Sequence, residues 1–190
     1  MKEQLSDKRA AALKATLNLI SEQGLHGTPM SQIAKKANIG VGTIYRYFSS
    51  KEDLINALYI EIKTRMAQYT LRNYSKDIPI CESFKQLIND VIHYMIENPA
   101  EFSFVEQYEN SPLITADTHK EAARIAASIE DMFKRALEQG LLKDLPVQIL
   151  GSLVGGATIS LVKFYRSSTV KPDEASLTAS IEAVWDMIKR

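Results

Sequence analysis

Residues that cross-link a chain or interrupt its helices are scarce in this sequence. Cys81 is the only cysteine, which excludes an intrachain disulfide and a thiolate metal cluster and indicates a reducing, cytoplasmic setting. The 190 residues include only eight glycines and six prolines, so little of the chain can be loop. Because good helix formers fill the segments between them, the composition predicts an all-α fold.

A hydrophobic run long enough to cross a membrane is also missing. The most apolar stretch, residues 149–162, is interrupted by Gly and Ser and falls short of the ~20 residues that a bilayer requires. The first 14 residues alternate charged and small side chains instead of forming the apolar region of a signal peptide. We therefore expect a cytoplasmic protein with no membrane partner.

The spacing patterns of metal and catalytic sites are absent as well. His26, His93 and His119 lie far apart, and none has a second histidine at the i+4 position. Residues 151–156 contain three glycines, but without the preceding strand or the Lys-Ser/Thr pair of a phosphate-binding loop. We predict no metal site, no cofactor, no catalytic residues and no enzyme, and a redox role for Cys81 is left open.

Two helices are predicted at the start of the chain. Apolar residues recur at helical spacing over residues 7–23, and Gly24 follows as a left-handed C-cap. Thr28 is expected to cap a second helix over about residues 30–36, with Pro29 at its first position. With the turn and the helix that follow, the second of these helices predicts a helix-turn-helix.

A tight turn and a very short third helix follow. Asn38 tolerates the positive φ of a turn between crossed helices, and a helix is predicted over residues 41–48 with Ile44 and Phe48 facing inward. Ser50 is expected to cap the fourth helix. The outer face of the third helix suits a DNA major groove, because it combines close approach with hydroxyl and guanidinium donors: Gly42, Thr43, Tyr45, Arg46 and Tyr47.

The distribution of charge also indicates DNA contact at the N-terminal end of the chain. The net charge is zero overall, but residues 1–60 carry eight Lys/Arg and five Asp/Glu, a net +3, and the remainder carries −3. This modest basic excess indicates attraction to phosphate. At the start of the fourth helix, Lys51 is expected to meet a backbone phosphate.

The run over residues 33–54, IAKKANIGVGTIYRYFSSKEDL, resembles the signature of the TetR (tetracycline repressor) family of transcriptional regulators. Asn38 stands where that family usually has glycine, and Gly40 where it frequently has serine. The resemblance implies a helix-turn-helix DNA-binding domain over residues 1–52 and a helical effector-binding and dimerisation domain over residues 53–190. It implies double-stranded DNA contacts, beside those of Gly42, from Thr28, Ser31, Thr43, Tyr45, Arg46, Tyr47 and Lys51.

These residues are divided by the part of the DNA that each is expected to contact. Base edges are assigned to Thr43 and Arg46. The alternative for either tyrosine is packing against helix 1 or helix 2. Phosphates are assigned to Thr28, Tyr45, Tyr47 and Lys51.

The rest of the chain predicts a long fourth helix and five more, about nine helices in all. Apolar residues at positions 54, 58, 62, 66 and 69 define the fourth helix, which links the two domains. Proline and glycine punctuation places the others near residues 80–97, 99–109, 117–139, 146–166 and 173–189.

The helix over residues 146–166 is apolar nearly all round and contains small residues at turn spacing. With the last helix it could form the intersubunit four-helix bundle that TetR-like proteins use, and the alternative is an internal core helix of a monomer. A homodimer also follows from recognition, because one short helix reads few base pairs and two half-sites imply a palindromic operator. The predicted interface residues are Gly151, Gly155, Leu161 and Trp185.

Soft and aromatic residues in the middle of the chain could line an apolar pocket for a small hydrophobic effector. Within this set, residues 104–112, FVEQYENSP, resemble a segment near the ligand cavity in one branch of TetR-like regulators. The alternative is ordinary core packing. The predicted pocket residues are Met66, Tyr69, Tyr94, Phe102, Phe104, Tyr108, Met132 and Phe133.

The leading hypothesis is a repressor that its effector releases from the operator through differential affinity. The competing hypothesis is a helical small-molecule-binding or enzymatic protein that retains the helix-turn-helix as scaffold. Activation instead of repression differs only in where the operator lies. The exposed aromatic and basic face around Arg46 favours DNA binding.

Overall fold

A computed structural model describes the backbone of residues 2–167 and 173–190 and, from Asp7 onwards, their side chains. In this part of the chain the backbone forms ten α-helices and one isolated antiparallel bridge between Leu142 and Lys189, which confirms the predicted all-α fold. The helices are α1 (Lys2–Gln23), α2 (Met30–Ala37), α3 (Val41–Tyr45), α4 (Lys51–Thr70), α5 (Ile80–Glu97), α6 (Pro99–Tyr108), α7 (Ala116–Ile125), α8 (Ala127–Glu138), α9 (Val147–Ser167) and α10 (Glu174–Ile188).

There are ten helices and not nine because one predicted helix is divided into two. A single helix is predicted over residues 117–139, but α7 ends at Ile125 and α8 begins at Ala127. Ala126 between them has φ −88° and ψ 6°, a conformation outside the α region that stops the regular ladder of hydrogen bonds. The expectation of one continuous helix is therefore wrong. Because neither proline nor glycine stands at this position, the sequence contained no signal for the break.

The chain divides into two compact units, each built from two stretches of sequence. The first unit consists of the residues up to Thr64 together with Pro99–Ala122, and the second consists of Arg65–Asn98 and Ala123–Arg190. Each unit is thus discontinuous in sequence. The motif-based division between residues 52 and 53 stays a prediction.

The first unit has a core that α6 helps to complete. Ile33 of α2 and Ile44 of α3 are buried against the apolar faces of α1 and α4. Phe104 and Tyr108 of α6 belong to the same buried cluster. Since a short helix-turn-helix buries little apolar surface by itself, α6 supplies part of what stabilises it.

The second unit is held by aromatic side chains where α5 packs with α8, α9 and α10. The ring of Phe84 lies 5.1 Å from that of Trp185 and 5.7 Å from that of Phe133, between ring centroids. All three side chains are buried. Large rings in such tilted and edge-on contacts account for much of the hydrophobic stabilisation of a small core.

Helix α9 is longer and more exposed than a core helix. It spans 21 residues, an 18-residue window of it has a mean hydropathy of 1.5, and only 22% of that window is buried. By length and composition alone α9 could cross a membrane, because the helix extends beyond the apolar stretch of residues 149–162 at both ends. Its large apolar side chains Ile149, Leu153 and Phe164 are exposed.

Candidate functional site

The turn between α2 and α3 sets the geometry of the helix-turn-helix. Asn38 lies in the left-handed region, with φ 54° and ψ 45°, and it is the only non-glycine residue with positive φ in the described part of the chain. The N–H of Ile39 donates to the carbonyl of Ala34 at 3.0 Å, which closes the end of α2. The predicted role of Asn38 in this turn is confirmed.

Thr28 has a different role from the one predicted for it. Pro29 occupies the N-cap position of α2, and no side chain caps that helix. The Thr28 hydroxyl donates instead to the carbonyl of Gly24 at 2.8 Å, and its side chain is 0% exposed. The predicted cap is therefore wrong, and in this arrangement Thr28 offers a phosphate no surface.

Helix α3 ends earlier than predicted but presents the expected outer face. It spans Val41–Tyr45, with Ile44 directed into the core. Gly42, Tyr45 and Arg46 are exposed, and the exposure of Tyr45 reaches 51%. A Cβ added at Gly42 would meet no atom within 4 Å, so nothing inside the protein requires a glycine there.

Thr43 and Tyr47 lie at the edge of this face and are half-buried. The Tyr47 hydroxyl is buried and has no hydrogen-bond partner in the described part of the chain, and its ring lies 6.2 Å from that of Phe48. An unsatisfied buried hydroxyl is destabilising. An acceptor brought from outside, such as a phosphate oxygen, would satisfy it if the side chain turned outward.

The start of α4 is fixed by a local hydrogen-bond network. The N–H of Asp53 donates to Ser50 Oγ at 3.1 Å, and the N–H of Ser49 donates to Asp53 Oδ2 at 2.7 Å, which confirms Ser50 as a cap. Hydrogen bonds from its own backbone N–H and from Ser50 lower the pKa of Glu52 in the same turn. The helix thus begins at a defined residue.

Cations surround this part of the first unit. Lys51 Nζ donates to the carbonyl of Leu25 at 2.6 Å, which leaves two ammonium donors for a phosphate. Lys35 and Lys36 in the last turn of α2 are exposed, and the Lys36 ammonium pairs with the Glu22 carboxylate. Neither lysine was predicted as a contact, although the two are adjacent in the sequence. Ser31 is exposed in the first turn of α2.

The second unit contains a cavity of about 320 Å³. Of the eight residues predicted for a pocket, only Met132 lines it. The lining comes from the end of α4, the segment after it, α5 and α8: Thr70, Leu71, Asn73, Tyr74, Ile78, Glu82, Ser83, Gln86, Leu87, Ser128, Ile129 and Met132.

The other predicted pocket residues are distributed between the two units. Phe102, Phe104 and Tyr108 are buried in the first unit. Phe133 packs on Phe84, Tyr69 and Tyr94 have ring centroids 5.3 Å apart, and Met66 is half-buried in α4. Their hydrophobic spacing does not distinguish core from cavity, and the polar residues at the start of α5 were the missed signal.

The four residues predicted for the dimer interface all lie in the second unit and differ in exposure. Gly151 is exposed and Gly155 half-buried, and a Cβ added to either would meet nothing within 4 Å. Leu161 lines an apolar groove of about 410 Å³ between α9 and α10. Trp185 is buried against Phe84 inside the unit.

Two family models cover most of this chain. Residues 12–58 match the family described as "Bacterial regulatory proteins, tetR family". Residues 79–189 match "Tetracyclin repressor-like, C-terminal domain". The chain belongs to the TetR family. This TetR-family chain is therefore a transcriptional regulator with a helix-turn-helix DNA-binding segment.

Known proteins are similar to this TetR-family chain over nearly its whole length. An "Uncharacterized HTH-type transcriptional regulator" of Haemophilus influenzae is 26% identical over 100% of both chains. The crystal structure of a TetR-family transcriptional regulator from the same species is similar with a TM-score of 0.84 and 26% identity, over 97% of this chain and 98% of that one. A Bacillus subtilis transcriptional regulator, FadR, in complex with stearoyl-CoA shares the fold, with a TM-score of 0.71 and 20% identity over 94% and 96% of the two chains.

Proposed function

We propose that this regulator is a homodimeric repressor that binds a palindromic operator and is released by a small hydrophobic effector. The exposed face of α3, with Gly42, Tyr45 and Arg46 side by side, is the observation that carries the DNA-binding half. Thr43 and Arg46 contact base edges, while Tyr45, Tyr47 and Lys51 contact phosphates. The exposed Gly42 lets the start of α3 approach the backbone.

The dimer forms through α9 and α10. The exposed Ile149, Leu153 and Phe164 support this, because apolar side chains at helical spacing favour a covered face. The α9 glycines support it too, since their own chain leaves the space around them open. A second copy accounts for the low burial of α9 without a membrane, and a DNA-binding protein of this kind acts in the cytoplasm.

The cavity of the second unit receives the effector. Thr70, the last residue of α4, and Leu71, which follows it, line the cavity. Helix α4 is continuous from Lys51, which directly follows the helix-turn-helix in the sequence. A ligand that favours one placement of α4 shifts the population of operator-competent dimers. Coupling of about 1–3 kcal/mol would change operator affinity roughly 5- to 150-fold.

The DNA-binding half is tested by selection from a randomised duplex pool at two salt concentrations. We expect enrichment of one palindrome, weaker binding at the higher salt, and a loss of about 1–3 kcal/mol with relaxed specificity for Arg46→Ala. Arg124→Ala, which removes another exposed arginine, is the matched control and leaves binding unchanged. No enrichment at either salt would instead support a ligand-binding or enzymatic protein that retains the motif as scaffold.

The release half is tested on the enriched operator by fluorescence anisotropy. Small hydrophobic and amphipathic compounds are added, with stearoyl-CoA included because a neighbour of the same fold is bound to it. An effector lowers operator affinity, as repression by release requires. A compound that binds and raises operator affinity would contradict release by that compound.

A further inference from the structure

The cavity in the second unit is small and partly polar. Its volume is about 320 Å³, and at the ~30 Å³ that a water molecule occupies in the liquid it encloses on the order of ten non-hydrogen atoms. Leu71, Leu87, Ile129 and Met132 form an apolar part of the wall. The remainder is mostly hydroxyl, amide and carboxyl groups, so an amphipathic occupant fits better than a purely hydrophobic one.

Ser83 contributes a buried hydroxyl without a partner to this wall. Its side chain is 8% exposed, it lines the cavity, and its Oγ has no hydrogen bond in the described part of the chain. Thr16, Ser152, Thr158 and Ser180 in other helices each donate to the carbonyl four residues earlier. Ser83 does not, and its Oγ is itself buried. A change of its χ1 rotamer would turn this unpaired hydroxyl into the cavity, where a ligand could satisfy it.

Two residues near Ser83 in the cavity wall provide hydrogen-bond acceptors. Gln86 Nε2 donates to Asp90 Oδ1 at 2.9 Å. Because a carboxylate only accepts, the amide nitrogen must face Asp90, and Gln86 Oε1 is left as an acceptor. Glu82, in the first turn of α5, adds a carboxylate to the lining.

No lysine, arginine or histidine is among the described residues that line this cavity. Arg72, between the lining residues Leu71 and Asn73, is paired with Asp90 at 3.6 Å. Arg135 contacts it only indirectly, by donating to Tyr74 Oη at 3.2 Å and to the carbonyl of Lys76 at 3.4 Å. The Lys76 ammonium forms an ion pair with Asp131 at 2.9 Å. An anionic head group would therefore meet the Glu82 carboxylate without a cation in the wall, which disfavours its desolvation.

We propose that this cavity binds an organic cation with a short apolar body, such as an alkylammonium of about ten non-hydrogen atoms. The ammonium donates to Ser83 Oγ, Gln86 Oε1 and the Glu82 carboxylate, and the alkyl chain lies against Leu87 and Met132. This inference rests on the proposed function, since it names the class of effector for the same cavity. It excludes fatty carboxylates as the favoured ligands.

Three probes that share an eight-carbon chain separate the head groups: octylammonium, 1-octanol and octanoate. Isothermal titration of the full chain at pH 7 should give a Kd for octylammonium at least about tenfold lower than for octanoate, with octanol between them. Octanoate binding as tightly as octylammonium would overturn the proposal. Absence of octylammonium binding at millimolar concentration would overturn it as well.

Variants of the wall test the named contacts. Ser83→Ala should weaken octylammonium binding about three- to tenfold without lowering the melting temperature of the free protein, because it removes a hydroxyl that had no partner. Glu82→Gln should remove the preference for octylammonium over octanol. Ser103→Ala changes an exposed serine of α6 in the other unit and should change nothing. Equal binding by wild type and Ser83→Ala would contradict the assignment.

Operator binding measured with each probe distinguishes this inference from the proposed function. If octylammonium binds the cavity but leaves operator affinity unchanged, the ligand class stands and release by that ligand fails. If octanoate releases the operator and octylammonium does not, release stands and the cationic class is wrong.

Discussion

Tyr59, Lys63 and Glu109 form a part-buried cluster that joins α4 to the end of α6 within the first unit. Tyr59 Oη and Lys63 Nζ both donate to Glu109 Oε1, at 2.9 Å and 2.6 Å. Burial raises the pKa of Glu109, but the charge and hydrogen bond of Lys63 and the hydrogen bond of Tyr59 outweigh it, so this pKa lies below its ordinary value. Burial, followed by the Glu109 carboxylate, raises the pKa of Tyr59.

Removal of the cation should therefore destabilise the first unit. We expect Lys63→Met to lower the free energy of unfolding at pH 7 by about 1–2 kcal/mol, less than for a fully buried pair because the Lys63 and Glu109 side chains are 18% and 33% exposed. Since the folded pKa of Glu109 is lowered, its stabilisation is present above the unfolded value of about 4.3 and is lost as the pH falls through the folded pKa.

Urea unfolding at a series of pH values checks this prediction. The difference between Lys63→Met and wild type should narrow as the pH falls below about 4. Lys120→Met is the matched control, because Lys120 pairs with Asp117 on the surface at 69% and 90% exposure. Equal losses for the two variants would show that the cluster has no special role.

The contacts of single residues show where sequence reasoning reaches its limit. Asn38 and Ser50 act on their own or neighbouring backbone, so residue type and position predicted both roles. Lys63 and Glu109 lie 46 positions apart, and Asn56 Nδ2 donates to the carbonyl of Leu113 57 positions away. Such pairs depend on which helices pack together, and no local pattern contains that information.

Among the elements, the α2–α3 turn has a backbone conformation that restricts its sequence. Asn38 adopts φ 54°, which costs most L-residues about 1–2 kcal/mol and glycine almost nothing. The turn fixes the angle at which α3 leaves α2. Its geometry is therefore a condition for presenting Arg46.

Substitutions at this turn should follow backbone preference and not side-chain size. Asn38→Gly should leave the free energy of unfolding within about 0.5 kcal/mol of wild type, whereas Asn38→Val should lower it by about 1–2 kcal/mol. Denaturant unfolding monitored by circular dichroism measures both. The opposite order would mean that the side chain of Asn38, not its φ, stabilises the turn.

Helix ends were predicted well where the residue type selects one conformation and poorly where the same residue type fits more than one role. Gly24, with φ 72°, ends the first helical segment as predicted. The Thr28 hydroxyl, by contrast, bonds to the Gly24 carbonyl and not to α2, and Ala126 breaks a segment of good helix formers. The same limit applies to the cavity, because aromatic residues at helical spacing fit a core and a pocket equally well.

At the scale of the whole molecule, the proposed dimer depends on the exposed apolar side chains of α9. Phe164 is 60% exposed, an unusual position for a phenylalanine unless a partner covers it. The neighbouring groove includes Leu161 on α9 and Met187 on α10. Both elements therefore contribute to the proposed interface.

A charge placed on this face should prevent dimerisation. We expect Phe164→Glu to sediment as a 21.3 kDa monomer, while the wild-type chain sediments at twice that mass and Ser103→Glu behaves as wild type. Operator affinity should fall with the dimer, because a single half-site provides too few contacts. A dimeric Phe164→Glu variant would move the interface away from α9.

The core of the first unit is completed by residues that come late in the sequence. Phe104, Tyr108 and Ile114 lie in the same buried cluster as Ile33, Ile44 and the apolar residues of α4. A fragment that ends after α4 would contain the proposed DNA-binding surface. Part of the apolar core beneath that surface would be exposed to water, because the residues of α6 that cover it would be missing. The DNA-binding unit of this protein therefore cannot be transferred to another sensor domain as a single N-terminal fragment. A functional chimera would have to carry α6 with it.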